Sequence, residues 1–194
     1  MLLLRVAGLV LAAGAGRRFG GAKAVAELDG ERLVDRAVRT LRRGGADPVY
    51  VVSGAVPLDG TDAVHVPNPG WSEGMGSSLR AGLSALADAP QDVVAVVIVL
   101  VDQPGLTGAA VARLVEAVSD DRAVAVATYD GKQGHPVAIG RAHWPEVARL
   151  AVGDVGARPF LLAHPDLVAR VECADVGSGE DVDTPAQLDA FRGR

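Results

Sequence analysis

Glycines, two adjacent arginines and a lysine crowd one short segment, Leu11-Ala12-Ala13-Gly14-Ala15-Gly16-Arg17-Arg18-Phe19-Gly20-Gly21-Ala22-Lys23. That mixture suits a triphosphate. Backbone N–H groups can converge on phosphate oxygens only where side chains leave room, and cations offset the charge of the ligand. Lys23 is a better cation for this role than Arg18. Two common phosphate loops fail on spacing: a dinucleotide fingerprint would place its third glycine at Phe19, and a Walker loop needs a hydroxyl residue after the lysine, where Ala24 stands. The plain alternative is a strand-to-helix turn with solvated arginines.

Two distant acids complete the candidate chemistry. Asp102 follows the most apolar run of the chain, 93–101, and precedes Gln103-Pro104, so its carboxylate is expected at the carboxyl edge of a sheet. In Asp181-Val182-Asp183-Thr184-Pro185, Thr184 and Gln187 have capping-box spacing and Pro185 suits the first helical position. With the cap occupied, Asp183 is released from the usual duty of a pre-helix aspartate. Asp102 and Asp183 together could then hold Mg²⁺, which takes oxygen ligands and commonly uses one or two carboxylates plus phosphates and water. Such an ion would orient a triphosphate and neutralise charge during attack at its α-phosphorus. Asp102 as a turn-fixing loop acid, and Asp181 as a surface charge, are the structural alternatives.

Positioning these groups requires alternating strands and helices. The runs 6–12, 49–53, 63–66, 93–101, 123–128, 137–139 and 168–173 read as strands, the fourth β-branched throughout like a central parallel strand. Helical spacing places Leu33, Val34, Ala37, Val38 and Leu41 on one face, closed by Gly44-Gly45; Leu79, Leu83 and Leu86 on a second; and Val111, Leu114, Val115 and Val118 on a third, capped by Thr107. Further helices are expected over 144–150 and 155–163 and after Thr184-Pro185. Asp29-Gly30 and Asn68-Pro69-Gly70 read as turns. The pattern predicts an α/β fold: a three-layer α/β/α sandwich around a Rossmann-like, mostly parallel sheet, with ligands at the carboxyl ends of the strands. Nothing in the chain suggests a linker, so residues 1–194 read as a single domain.

Bulk properties narrow the partners. A net charge of −5 gives no electrostatic reason for a nucleic-acid or anionic-membrane partner. Cys173 is the single cysteine, which excludes an intrachain disulfide and fits a reducing, cytoplasmic setting. The apolar start, Met1 to Leu4 before Arg5, has no basic leader and runs into a strand, so no signal peptide is expected. Trp71 and Trp144 read as packing residues.

Six blocks in order resemble the MobA-like nucleotidyltransferases, most closely their molybdenum cofactor cytidylyltransferase branch. They are the loop from Leu11 to Lys23; Asn68-Pro69-Gly70-Trp71 with Gly74-Met75-Gly76-Ser77-Ser78-Leu79; Val101-Asp102-Gln103-Pro104; Gly134-His135-Pro136-Val137; Gly153-Asp154-Val155-Gly156-Ala157-Arg158; and Asp181-Val182-Asp183-Thr184-Pro185. Gly105-Leu106 and Ala138-Ile139 depart from the typical pattern, which bears on the choice of acceptor. The resemblance implies a fold of the nucleotide-diphospho-sugar transferase type, CTP and Mg²⁺ as cosubstrates, and the phosphate of a molybdopterin-type pterin as nucleophile. By the same resemblance Leu11, Ala12, Ala13, Gly14, Gly16 and Arg17 bind base and triphosphate, Lys23 stabilises phosphate charge, and Asp102 and Asp183 hold the metal. Ser77 and Ser78 contact the base or cap their helix. His135, Asp154 and Arg158 face the acceptor; locally they could equally fill a strand entrance, cap a helix and pair with an acid. A molybdoenzyme or its chaperone would receive the product. GTP or another triphosphate with an acceptor such as a sugar phosphate, and a nucleotide-binding module without turnover, are the rival readings.

Overall fold

The computed structural model describes residues 4–193, so Met1 to Leu3 of the apolar start lie outside the described residues. In chain order the strands are β1 (Arg5–Leu11), β2 (Glu27–Leu28), β3 (Glu31–Arg32), β4 (Val49–Ser53), β5 (Val64–Pro67), β6 (Val93–Leu100), β7 (Val124–Tyr129), β8 (Lys132–Gly140) and β9 (Val168–Glu172). The helices are α1 (Leu33–Arg43), α2 (Met75–Ala87), α3 (Gly108–Glu116), α4 (Trp144–Leu150), α5 (Arg158–Ala163) and α6 (Pro185–Asp189). Seven strands form one sheet in the order β5-β4-β1-β6-β8-β7-β9, and β2 with β3 forms a separate hairpin. Strands β5, β4, β1 and β6 are parallel, as are β7 and β9; β8 runs antiparallel to both its neighbours.

The sheet is the middle of three layers, and strand alternation sorts the core. Val6, Val10, Val97 and Val99 face α1 and α3, packing with Val34, Leu41, Val111 and Leu114. Leu9, Val96 and Ile98 point the other way, toward Leu79, Leu83, Trp144, Val147 and Phe160 of α2, α4 and α5. Two glycines let helices approach β1 closely from either side: a Cβ on Gly8 would lie 2.8 Å from Leu41, and one on Gly82 would lie 2.7 Å from Leu9. A third cluster, Leu28, Leu33, Val182 and Leu188 with Phe19 packed against it, ties the C-terminal segment to the glycine loop. That small cluster brings residue 183 within reach of residue 23.

Two expectations need correction. The short strand read at 137–139 is the nine-residue β8, which returns from β7 as a hairpin instead of following a crossover. Asp130 (φ 52°) and Gly131 (φ 79°) both have positive φ in its two-residue loop, the conformation of a type I′ turn, for which Asp-Gly is a strong sequence signal. The helix read at 155–163 begins only at Arg158, with Pro159 in its first turn, while residues 151–157 form the loop that carries Asp154. The capped ends match the sequence closely. Thr107 accepts from the Ala110 amide, and Thr184 and Gln187 form a complete capping box.

Candidate active site

The glycine loop leaves the carboxyl end of β1 and folds back on itself. The amides of Phe19, Gly20 and Gly21 all close on the Gly16 carbonyl, at 2.9, 3.0 and 3.2 Å. Gly16 has φ +60°, and a Cβ there would fall 1.9 Å from the Gly21 carbonyl oxygen, so this turn requires glycine on both counts. Gly14, Ala15, Gly16 and Arg17 line a cleft of about 410 Å³ beside it. Among the described residues their backbone N–H groups donate to no protein acceptor. Unpaired amides in a glycine loop facing a cleft make an anion cradle.

Lys23, at the end of the loop, lines the same cleft and is largely buried. Its Nζ donates to Asp102 Oδ2 at 2.9 Å and to Asp183 Oδ1 at 2.9 Å. Burial pulls the Lys23 pKa down, but the hydrogen bonds and charges of Asp102 and Asp183 outweigh it and hold the group above its ordinary value of 10.5. The stabilisation is therefore complete below that ordinary value and is lost only as pH rises through the folded-state value, so Lys23 is a cation throughout the neutral range. For Asp183 the Lys23 hydrogen bond and charge, with Arg18 at 3.8 Å, lower the pKa below the usual carboxylate range. That contribution is present above the ordinary aspartate value and fades as pH falls through the lowered one. The capping box shapes this contact directly. Gln187 Oε1 accepts from the amides of both Asp183 and Thr184, leaving the Asp183 carboxylate to face Lys23.

The donor set suits a hard divalent cation. Two carboxylates already converge on one positive charge, and their oxygens are the ligand type that Mg²⁺ takes. Among the described residues no group of three or more His, Cys, Asp or Glu side chains is arranged to hold a metal. An ion at Asp102 and Asp183 would accordingly complete its shell with phosphate oxygens and water. Asp181 stands nearby and accepts from Gln103 Nε2 at 2.8 Å; burial, with the charges of Asp102 and Asp183, raises its pKa.

The expected nucleotide residues divide. Leu11, Ala13, Gly14, Gly16, Arg17, Lys23, Ser78 and Asp102 line the cleft. Ala12 does not, because alternation turns it into the α1 side of the core. Ser77 is also outside the lining: its hydroxyl donates to the carbonyls of Gly70 and Gly74 and accepts from Asn68 Nδ2, each at 2.9 Å. Neither serine caps α2, whose N-cap is Gly74 without a side-chain cap bond. Trp144 is a packing residue, with its Nε1 bonded to the Ile139 carbonyl. Trp71 both packs against the core and faces the cleft.

Asn68 holds this corner together, donating to Ser77 and Ser78 while Oδ1 accepts from the Gly70 amide. Asn68→Ala leaves buried partners unsatisfied, and a loss of about 1–3 kcal/mol of stability is expected. Urea denaturation checks it: the midpoint should fall with the slope unchanged.

A second cavity, of about 730 Å³, adjoins the first and shares Leu11, Met75, Leu100 and Asp154 with it. His135, Asp154 and Arg158 all line it. Asp154 does not cap α5, and Arg158 has no ion pair among the described residues. Desolvation lowers the His135 pKa to about 4, against the opposing charge of Asp102, so the imidazole is neutral near pH 7. Sequence reasoning missed Gln103, Gln133 and Arg170, which line the same cavity. The position of Gln103 next to Asp102 was a usable signal. Gln133 and Arg170 were visible only through strand pairing.

The MobA-like NTP transferase domain model matches residues 8–168. Over 197 residues, 94% of this chain and 94% of the relative, the sequence is 39% identical to nicotine blue oxidoreductase of Paenarthrobacter nicotinovorans. It is also 39% identical, over 105 residues covering 54% of this chain and 51% of the relative, to a probable molybdenum cofactor guanylyltransferase of Opitutus terrae. Among solved structures, a homologue of Mycobacterium tuberculosis Rv0371c from Mycobacterium sp. strain JC1 has a TM-score of 0.77 at 33% identity, covering 96% of this chain and 94% of that one. A nucleotidyl transferase from Methanothermobacter shares the fold, with a TM-score of 0.79 at 21% identity over 97% of this chain and 96% of its own. With the family model spanning most of the sequence and a phosphate-type loop opposite paired carboxylates, the chain belongs to the MobA-like NTP transferase family.

Proposed function

We propose that the chain, acting as one domain in the cytoplasm, transfers CMP from CTP to the phosphate of a molybdopterin-type acceptor and releases pyrophosphate. The observation that carries this reading is the placement of Lys23 between Asp102 and Asp183 beside an array of unpaired loop amides. An acceptor phosphate oxygen forms the new bond to the α-phosphorus of CTP, the bond from that phosphorus to the bridging β-phosphate oxygen breaks, and pyrophosphate carries away the electron pair. The loop amides and Lys23 bind and orient the triphosphate and stabilise the charge that develops on the leaving group. Mg²⁺, held by Asp102 and Asp183, would supply charge neutralisation on the phosphates. Because the acceptor phosphate is already ionised, no strong general base is needed. Ser78 and Trp71, in the cleft wall, are the side chains offered to the base. The acceptor enters through the second cavity, which meets the first at Asp154.

The test is pyrophosphate release with each of the four ribonucleoside triphosphates, with and without molybdopterin or a sugar phosphate, in the presence of Mg²⁺. CTP with molybdopterin should give the fastest release, dependent on both substrates and on the metal. A faster rate with GTP, or with a sugar phosphate, overturns the assignment of base or acceptor, and no release from any pair overturns the transfer reading.

The relative named nicotine blue oxidoreductase, 39% identical over nearly its full length, favours a second reading. In it the cleft beside the glycine loop would hold the dye, and the electrons would come from an external reductant, since Cys173 is the single cysteine and provides no disulfide couple. Reduction of nicotine blue by the chain with an added reductant, without pyrophosphate release from CTP, would establish this reading over the first.

A further inference from the structure

The second cavity runs across the sheet along one row of paired residues. Ile98 of β6 lies opposite Val137 of β8, Val137 opposite Val126 of β7, and Val126 opposite Arg170 of β9. All four line the cavity. Three strand spacings separate Ile98 from Arg170, about 14 Å between their backbones. The near end is the junction with the nucleotide cleft, where Leu100 and Asp154 belong to both cavities. The far end lies on the edge strand β9.

Charge is distributed unevenly along this path. The acids, Asp154 at the junction and Asp181 against Gln103, the neighbour of Asp102, are at the nucleotide end. Arg158 and Arg170 line the cavity, and their guanidinium groups have no hydrogen-bond or ion-pair partner among the described residues. Most other described arginines are paired: Arg32 with Asp35, Arg39 with Glu31, Arg42 with Asp62 and Arg113 with Asp175. Between the two ends the floor is aliphatic, with Ile98, Val137 and Val126 on the sheet and Leu161 on α5. An unpaired planar fork suits a planar, acceptor-rich group, which it can meet by bidentate hydrogen bonding or by stacking.

We infer that Arg170 is the specificity-determining end of the acceptor site, selecting an elongated phosphomonoester whose far end is planar and rich in hydrogen-bond acceptors. The inference rests on the proposed transfer reaction for the position of the phosphate, since a nucleophilic oxygen must sit at the junction to reach the α-phosphorus. A short phosphomonoester anchored there leaves the aliphatic floor and Arg170 uncovered. Arg170 acts here as a binding residue, remote from the reacting atoms.

Equilibrium binding of two probes tests this, using the full chain with CTP binding as the control for an intact nucleotide cleft. The probes are a pterin monophosphate and glycerol 3-phosphate. The wild-type chain should bind the pterin monophosphate more tightly. Arg170→Ala should weaken that binding roughly tenfold or more, the worth of a hydrogen bond to a charged group, and leave glycerol 3-phosphate and CTP unchanged. Arg170→Lys should recover only part of the loss, because an ammonium lacks the planar fork. Equal weakening of both probes, no weakening of either, or no preference by the wild-type chain overturns the inference. Pyrophosphate release is a separate readout: Arg170-dependent pterin binding without turnover would sink the transfer reading alone, and turnover indifferent to Arg170 would sink the inference alone.

Discussion

Lys23→Met is expected to lower kcat for pyrophosphate release by about 10²–10³, the effect of removing one preorganised donor from a site of developing charge. The ammonium is held by two carboxylates at 2.9 Å each, so it is already oriented before substrate arrives and loses no freedom as the leaving group gains charge. Methionine keeps an unbranched side chain, one atom shorter, and removes the charge and its hydrogen bonds. The loss should fall on kcat more than on KM, because the interaction strengthens as pyrophosphate departs. The raised pKa adds a pH signature. Since Lys23 titrates above 10.5, no limb of the wild-type pH profile in the neutral range should belong to it, and the variant should be depressed uniformly there. Steady-state kinetics across that range decide the matter. Activity within a few-fold of wild type would remove Lys23 from the chemistry.

Gly16→Ala should be comparably damaging by a different route. The new methyl group would overlap the Gly21 carbonyl at 1.9 Å in a backbone conformation with φ +60°, so the turn must open. Opening it disperses the amides of residues 14–17 and displaces the segment that leads into Lys23. A fall in kcat/KM of at least about 10² is expected, from lost triphosphate positioning and not from unfolding. Thermal denaturation should show a loss of about 1–3 kcal/mol, from the strained turn and the loosened Phe19 contact, too small to unfold the chain. Gly21→Ala is the matched control. Its Cβ would meet nothing within 4 Å and its φ is not positive, so an effect of about twofold or less is expected. Equal activity in the two variants would show that the Gly16 turn does not position the ligand.

Several parts of the site were legible before any coordinates. The glycine loop, Lys23, Asp102 and the capping box that frees Asp183 are each defined by residues close in sequence, where spacing translates directly into geometry. The helix read at 155–163 was placed too early because the apolar pattern continues through a loop, and Pro159 marks the true first turn. The reading of β8 failed for a related reason. Its inner half is apolar, but Lys132 and Gln133 are exposed hairpin residues whose strand character comes from pairing with β7, not from their own pattern. Asp130-Gly131 is the local signal of that hairpin.

Composition, periodicity and local spacing determined that this chain would form an α/β sandwich with a phosphate-type loop and acids at strand and helix boundaries. These features depend on interactions among residues a few positions apart. Only the tertiary structure decided that Asp183 meets Lys23 across 160 positions, that Ser77 belongs to a buried network while Ser78 reaches the cleft, and that Arg170 lines a second cavity from the edge strand. Those relations depend on strand order and on the packing of Leu28, Leu33, Val182 and Leu188, long-range contacts that no sequence spacing encodes.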